Sequence, residues 1–373
     1  MMRTPNSLSG ILHRIAVWLI LAFICSCVIR FILMLDVNKR VYNHTPGPCR
    51  VVSGISDGSA GMELIREIGL VFISTGLAKA YGNRTSRPGL ALLQLEKEMA
   101  KYEAKPIKIE GEKFNSEEFI PLGLSSYYSK RRLSLYVVNT HPRRQCVEIF
   151  AYNKEKNILF HRKSVCDPRF SSAYDVLAVG ADRFFISNLA YMNRGILQTA
   201  ELIMQSSFGA LYFFDGHTVT LHESRLSTPS ALAIDRKREL VFIASIINEN
   251  IRVYKLGKDF SLSFQTQIAL LSSPAGIDID EENGDLWVAL HPVLHQLFLL
   301  TLNPGDEQIR SPSQVLRVRI QEDGVSWVIT EPYANDGATI SGSNDVVYDK
   351  EHMLIGSMFG RLLDCDVLNP SIT

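Results

Sequence analysis

Two histidines, His291 and His295, stand four residues apart in VALHPVLHQ. On a helix that spacing puts both imidazoles on one face, where they suit a metal ion. A turn and a strand are expected here instead, so structural or surface roles are the simpler reading. Asp278 and Asp280 alternate along GIDID and Asp285 follows, an arrangement that resembles an acidic metal site. The segment is also turn-rich, and Asp carboxylates capping backbone N–H groups account for it more simply. Asp345 in SGSNDVVYD is open to both readings. No phosphate-binding G-x-x-x-x-G-K-[ST], C-x-x-C or H-E-x-x-H is present.

The elements that must hold these residues are short strands. After residue 50 the chain is dominated by brief apolar runs bounded by Gly, Asp, Asn and Ser. Six copies of one pattern, an apolar-aromatic strand ending in a small residue, begin 45 to 68 residues apart: GLVFIST, SLYVVNT, DRFFISN, ELVFIAS, GDLWVAL and HMLIGSM. A second strand is expected after each, in LALLQLEKE, VEIFAY, ALYFFD, IRVYKL, QLFLLTL and RLLDCDV. Repeats of this period fit propeller blades, which bury their faces against one another around an axis. The expected fold is an all-β, six-bladed β-propeller; a β-sandwich is the weaker alternative. Ile196 to Met204 is the exception, a short inserted helix expected to cover one end, with contact to a membrane surface as the lesser reading. Cys49 precedes the first copy and Cys365 lies in the last strand, so a disulfide between them would close the ring. Cys146 and Cys166 flank a hairpin and are either paired or two buried thiols.

The chain has 373 residues, 39 basic and 39 acidic, with 46% hydrophobic residues. This is a globular composition, and zero net charge argues against a nucleic-acid binder with a bulk basic surface. Ile15 to Leu35 is 21 mostly apolar residues, enough to cross a hydrocarbon core of about 30 Å. It is long for a cleaved signal, so an uncleaved anchor is expected, with Arg30 snorkelling near its end. Cys25 and Cys27 within it are apolar filler or palmitoylation sites. The sequons at Asn43 and Asn83 follow the span and place the bulk of the chain on the lumenal or extracellular side if they are used. The expected organisation is a short cytosolic tail over 1–14, the anchor over 15–35, a stalk over 36–48 and the propeller over 49–373. Localisation is expected at the endoplasmic reticulum, the plasma membrane or both.

From about Cys49 onward the sequence resembles the paraoxonase family of calcium-dependent lactonases and arylesterases. The likeness rests on GLVFISTGLA, FIPLGLS, LYVVN with VEIF, DVLAVG with RFFISN, IRVYK, GDLWVALHP and MLIGSMFGRLLDC. It implies the six-bladed propeller independently, and it places Cys49 and Cys365 where the family has its ring-closing disulfide. It also implies a channel calcium and a His dyad, but the matching positions here are altered. The Glu-Asp pair falls at Ala60-Gly61 and the motif His at Leu122. The Asn-Asp pair falls at Tyr174-Asp175, so only Asp175 keeps its type. The fourth-blade Asn falls near Ser230, the Asp-Asn pair at Ala275-Gly276 and the second His at Thr140. His141 is one position on, and a shift of one residue on a strand turns a side chain to the other face. Calcium takes about 6–8 oxygen ligands, which this set does not supply. Glu63 is expected as a surface or turn residue, or as a rescued ligand if the register differs.

The first reading is therefore a membrane-anchored, non-catalytic member with no cofactor. It looks like the anchored invertebrate paraoxonase-like proteins that serve degenerin/epithelial-type sodium channels as auxiliary subunits or endoplasmic-reticulum chaperones. Its expected partners are the membrane and a sodium-channel subunit, with no nucleic acid. The alternative is a calcium-dependent arylesterase or lactonase with a shifted site built from Asp175, Glu63, Ser230 and His141. A third reading is a carrier of an apolar ligand, since Leu122, Tyr174 and Ala275 are expected to line a ligand-poor channel.

Overall fold

The structure, a computed structural model, describes residues 8–95, 103–306, 308–321 and 326–369. Residues 1–7 of the expected tail, and residues 96–98 of the expected LALLQLEKE strand, lie outside the described residues. The first element is the helix Leu8–Met34 (α1), which starts seven residues before the expected span because nothing in LSGILHR stops a helix. Asp36 ends it in the left-handed region at φ 52, a conformation Asp tolerates better than most residues.

The strands form six sheets around one axis. Cys49–Val51 (β1) belongs to the last blade. Gly61–Ile65 (β2), Leu70–Thr75 (β3), Gly89–Gln94 (β4) and Lys105–Pro106 (β5) make the first blade. Lys108–Glu110 (β6) crosses over to lie parallel on the outer edge of the second, which is Pro121–Ser129 (β7), Arg132–Asn139 (β8), Cys146–Asn153 (β9) and Ile158–Cys166 (β10). The third is Ala173–Gly180 (β11), Arg183–Asn188 (β12), Gly209–Phe214 (β13) and Val219–Leu226 (β14). The fourth is Pro229–Asp235 (β15), Leu240–Ser245 (β16), Asn250–Leu256 (β17) and Leu262–Ala269 (β18). The fifth is Ser273–Ile279 (β19), Leu286–His291 (β20), Ser313–Ile320 (β21) and Trp327–Asn335 (β22). The sixth is Ser343–Asp349 (β23), His352–Ser357 (β24) and Leu363–Asp366 (β25), completed by β1.

The expected repeat strands are the second strands of the blades, and they are buried on both faces because neighbouring blades sandwich them. β20 is buried along its whole length, whereas the outer β18 is largely exposed. The core lies between blades: Phe242, Ala244 and Val253 of the fourth meet Leu286, Val288 and Leu316 of the fifth. β1 pairs antiparallel with β25 and Cys49 faces Cys365, to which it is disulfide-bonded across 316 residues. Cys146 and Cys166 also face each other, on β9 and β10, and they form the second disulfide. The two-buried-thiols reading is thus set aside.

One expected strand is a helix. QLFLLTL falls in Leu294–Leu302 (α3), and the second partner strand of the fifth blade is β21 instead. Leu294, Leu297 and Leu300 recur at helical spacing, and Asn303-Pro304-Gly305 stops the run. The inserted helix expected near residue 196 is Ile196–Ile203 (α2). Its orientation reverses expectation: Gln198 and Glu201 are buried, while Ile196 and Leu197 are exposed. The stalk runs along the propeller. Lys39 reaches Asp36, Glu249 and the Leu271 carbonyl, and His44 forms a bridge with Ala334.

Candidate functional site: the central channel

Six inner strands, β2, β7, β11, β15, β19 and β23, ring the channel and run in the same sense from one mouth to the other. At the mouth where they begin, Ala60, Leu122 and Tyr174 are buried and pack with Leu77, Ile120, Met358 and the inner face of α3. Leu122 and Tyr174 of the expected apolar lining form a plug rather than an open pocket. Ala275, by contrast, lines a channel that also carries Glu63, Arg66, Asp175, Asp278 and Asp345, so the channel as a whole is not apolar. Below the plug a cavity of about 450 Å³ runs to the opposite mouth, past Glu63 and Asp278 to Arg66, Arg236 and Glu281.

Gly61, Ala275 and Gly276 also line this channel, as does Asp175. Ser230 is buried in a seam, its Oγ donating to the Pro274 carbonyl at 3.0 Å. Thr140 donates to the Ile120 carbonyl at 3.2 Å, beyond the end of β8. His141 is half-buried, and burial holds its imidazole below the usual value. Its Nδ1 accepts from the Arg143 backbone N–H at 3.4 Å, and it is not part of the channel wall. The shifted set Asp175, Glu63, Ser230 and His141 therefore does not converge.

Inner strands splay apart around the axis, so their facing backbone groups cannot pair as a continuous sheet, and buried N–H groups need acceptors. Side chains supply a bond at each of the six seams. Asp345 accepts from the Met62 N–H at 2.6 Å, and Glu63 from the Ser126 N–H at 2.8 Å. Ser125 accepts from the Ala178 N–H at 3.0 Å, and Asp175 from the Leu232 N–H at 2.8 Å. Ser230 bridges to Pro274, and Asp278 accepts from the Tyr348 N–H at 2.8 Å. Two expectations change here. Glu63 is a channel residue of β2, not a surface or turn residue, and Asp278 is a seam residue paired with Arg66 at 2.7 Å, not a turn cap. Asp280 is the turn residue, accepting from the Glu282 N–H. Asp285 forms a buried ion pair with Arg317 at 2.6 Å.

Burial pushes the Asp175 carboxyl up to about 7 against two backbone donors, and the charge of Glu63 adds to the rise. Burial likewise pushes Glu63 to about 7. It raises Asp345 well above the carboxylate range, and Asp278 rises in spite of Arg66. Tyr174 donates to Asn344 Oδ1 at 3.2 Å, and Asn344 donates to the Ala60 carbonyl at 2.6 Å. His291, beside Asn344 and fully buried, is pushed down to about 4 by burial. His295 begins α3 and holds the Leu35 carbonyl through Nδ1 at 2.8 Å. His291 and His295 thus have structural settings, one on a strand and one on a helix.

These positions do not make a calcium cradle. Asp175 is the one carboxylate among the family-site positions, and both its oxygens already accept backbone N–H groups, from Val176 and Leu232. A Cβ at Gly61 would overlap the Leu122 carbonyl oxygen, and one at Gly276 would overlap Asp345 Oδ1. The backbone has closed into the space that larger side chains would need. Among the described residues, no three of His, Cys, Asp and Glu gather in a metal-holding group. Sequence reading missed Asn344 and Arg66 as channel residues. The signal was present: Ser-Asn-Asp-Val at 343–346 echoes Ala-Tyr-Asp-Val at 173–176.

The family pattern described as Arylesterase matches residues 31–367. Mechanosensory abnormality protein 6 of Caenorhabditis elegans is 41% identical over 380 aligned positions, covering all of both chains. Serum paraoxonase/arylesterase 1 of Homo sapiens is 27% identical over 326 positions, 86% of this chain and 88% of that one. Among solved structures, a luciferin-regenerating enzyme superposes with a TM-score of 0.54 at 12% identity, covering 86% of this chain and 96% of its own. At that identity the likeness speaks for the fold alone. The propeller, its ring-closing disulfide and the match over 31–367 together show that this chain belongs to the arylesterase family, the family of the paraoxonases.

Proposed function

We propose that this protein is a membrane-anchored, non-catalytic paraoxonase-like protein that assists the assembly or activity of a membrane channel. The observation that carries the reading is the plug. Where the family's metal-ligand and His positions fall, Ala60, Leu122 and Tyr174 pack against α3, and the remaining carboxylate is committed to two backbone N–H groups. Among the described residues, no histidine lines the channel to serve as the base of a family-type dyad. α1 is long and apolar enough to cross a membrane, with mean hydropathy 2.6. An anchored propeller is confined near a membrane partner, which raises its effective concentration.

The partner class is a degenerin/epithelial-type sodium channel, and the anchored invertebrate group that the sequence resembles supports it. So does the 41% relative, whose name refers to mechanosensory abnormality. With the propeller on the lumenal side, the exposed Asn43 and the half-buried Asn83 are the glycan acceptors. The test is co-expression of the full chain with such a channel subunit. We expect co-purification of the two and more channel at the cell surface, both lost when α1 is removed. A channel whose amount and location do not respond, and which does not co-purify, contradicts the partner class.

A further inference from the structure

We propose that the seam closing the ring carries a proton-sensitive latch, in which His352 grips Asp364 and Asp366 on gaining a proton and so tightens the hold of β1 on β25. β1 and β25 pair antiparallel, with Arg50 opposite Asp364. The Arg50 guanidinium reaches both carboxylates, Nε to Asp364 Oδ2 at 3.0 Å and Nη2 to Asp366 Oδ1 at 2.8 Å. His352 begins β24, on the other edge of β25, and stands opposite Asp366. Its Nδ1 lies 3.6 Å from Asp364 Oδ1 and 3.5 Å from Asp366 Oδ1.

The arrangement is one bond short. Asp364 is fully buried, and its Oδ1 and the His352 Nδ1 both lack a hydrogen-bond partner. A buried carboxylate oxygen without a donor is costly. One guanidinium also faces two carboxylates, which leaves an excess of one negative charge. The imidazolium carries a donor on both ring nitrogens, so a proton on His352 supplies the missing donor and the missing charge together. The Asp364 carboxylate accordingly holds the imidazole above its usual value, against burial. Asp349 is the register partner of His352 in β23, and Lys350 and Glu351 form the turn between them. The ion pairs of His352 nevertheless run to Asp364 and Asp366. Leu354, two residues on along β24 and so on the same face, packs with the apolar Leu93 and Leu95 from the first blade.

A histidine raised in the folded state adds stability that is complete below its unfolded value and is lost as pH rises through its folded value. The latch is therefore closed in acid and eases as pH rises through neutrality. Its place gives it something to hold. β1 is the strand by which the stalk enters the ring, and the Asp366 N–H donates to the Pro48 carbonyl at 2.9 Å just before it. The same two strands carry the ring-closing disulfide, with Cys365 fully buried and Cys49 half-buried. A reagent reaches that bond most readily when β1 lifts from β25, so the rate of its reduction reports the latch.

The test uses the full chain in detergent, with Cys25 and Cys27 first blocked by alkylation. A phosphine then reduces the disulfides at pH 6 and at pH 7.5. Mass spectrometry of the newly alkylated cysteines gives the rate for Cys49–Cys365 relative to Cys146–Cys166 in the same sample, a ratio from which the reagent's own pH dependence cancels. We expect the ratio to be about threefold lower at pH 6 than at pH 7.5 in the unaltered chain, and equal at both in His352→Gln. A ratio that does not change with pH in the unaltered chain overturns the latch, and so does a change that persists in His352→Gln. The Cε1–H resonance of His352 is the second reading, and it requires no substitution. Its titration midpoint should lie above 6.5 and should fall in Asp366→Asn. A midpoint at or below 6.5 also overturns the proposal.

Discussion

At the residue scale, the channel carboxylates have become structural acceptors, and pH should expose that role. Asp175 and Glu63 are held at about 7, above their ordinary values. A carboxyl raised in the folded state binds its proton more tightly there than in the unfolded chain. It therefore adds stability that is complete below the unfolded value and is lost as pH rises toward 7. Stability should thus fall between pH 5 and 7 by on the order of 1 kcal/mol per pH unit for each such group. Thermal unfolding of the full chain at pH 5 and pH 7.5 reads this directly. Asp175→Asn should lower the melting temperature at pH 5 and flatten the decline, because the amide does not titrate. An unchanged decline would mean that Asp175 is already ionised at pH 5 in the folded protein. Restoring the family's carboxylate at Gly61→Asp should not restore a site. Its Cβ meets the Leu122 carbonyl oxygen, so the expected result is destabilisation by several kcal/mol with no calcium-dependent gain in melting temperature.

At the scale of elements, α3 supplies Leu294, Leu297 and Leu300 to the plug. Leu297→Ala empties space inside the plug and should cost about 2–4 kcal/mol in denaturant unfolding. Leu299→Ala, on the outer side, should cost under about 0.5 kcal/mol in detergent. Equal effects would show that the two faces are wrongly distinguished. α3 was hard to read from sequence for a physical reason. QLFLLTL is a short apolar run, and such runs do not separate strand from helix by periodicity alone. The repeat register favoured a strand, and the upstream Leu294 that completes the helical stripe lay outside the matched segment. Glu63 and Asp278 were misread for a related reason. In the sequence both look like surface or turn carboxylates, and only the splay of the inner strands gives each a facing N–H from the next blade. By contrast, the second strands of the blades were legible because they are buried on both faces and read as unbroken apolar runs.

At the scale of the whole molecule, the ring is closed by three strands near the C-terminus and one from just after the span, so its two ends hold each other. Replacing Cys49 and Cys365 together by Ser should lower stability by about 2–5 kcal/mol, since the bond constrains a loop of 316 residues. Non-reducing and reducing unfolding of the same sample checks this, and coincident transitions would contradict it. Family and ring closure were legible because they depend on repeats and paired cysteines; which mouth is open was not, because it depends on where α3 folds back. The central claim is that the family's site has been replaced by a plug. The measurement that tests it most directly is hydrolysis of an aryl ester and a lactone by the purified, folded full chain, with and without added calcium. The account predicts no calcium-dependent turnover above the uncatalysed background. Calcium-dependent turnover would contradict it and would mean that Ala60, Leu122 and Ala275 do not stand where the family's site falls.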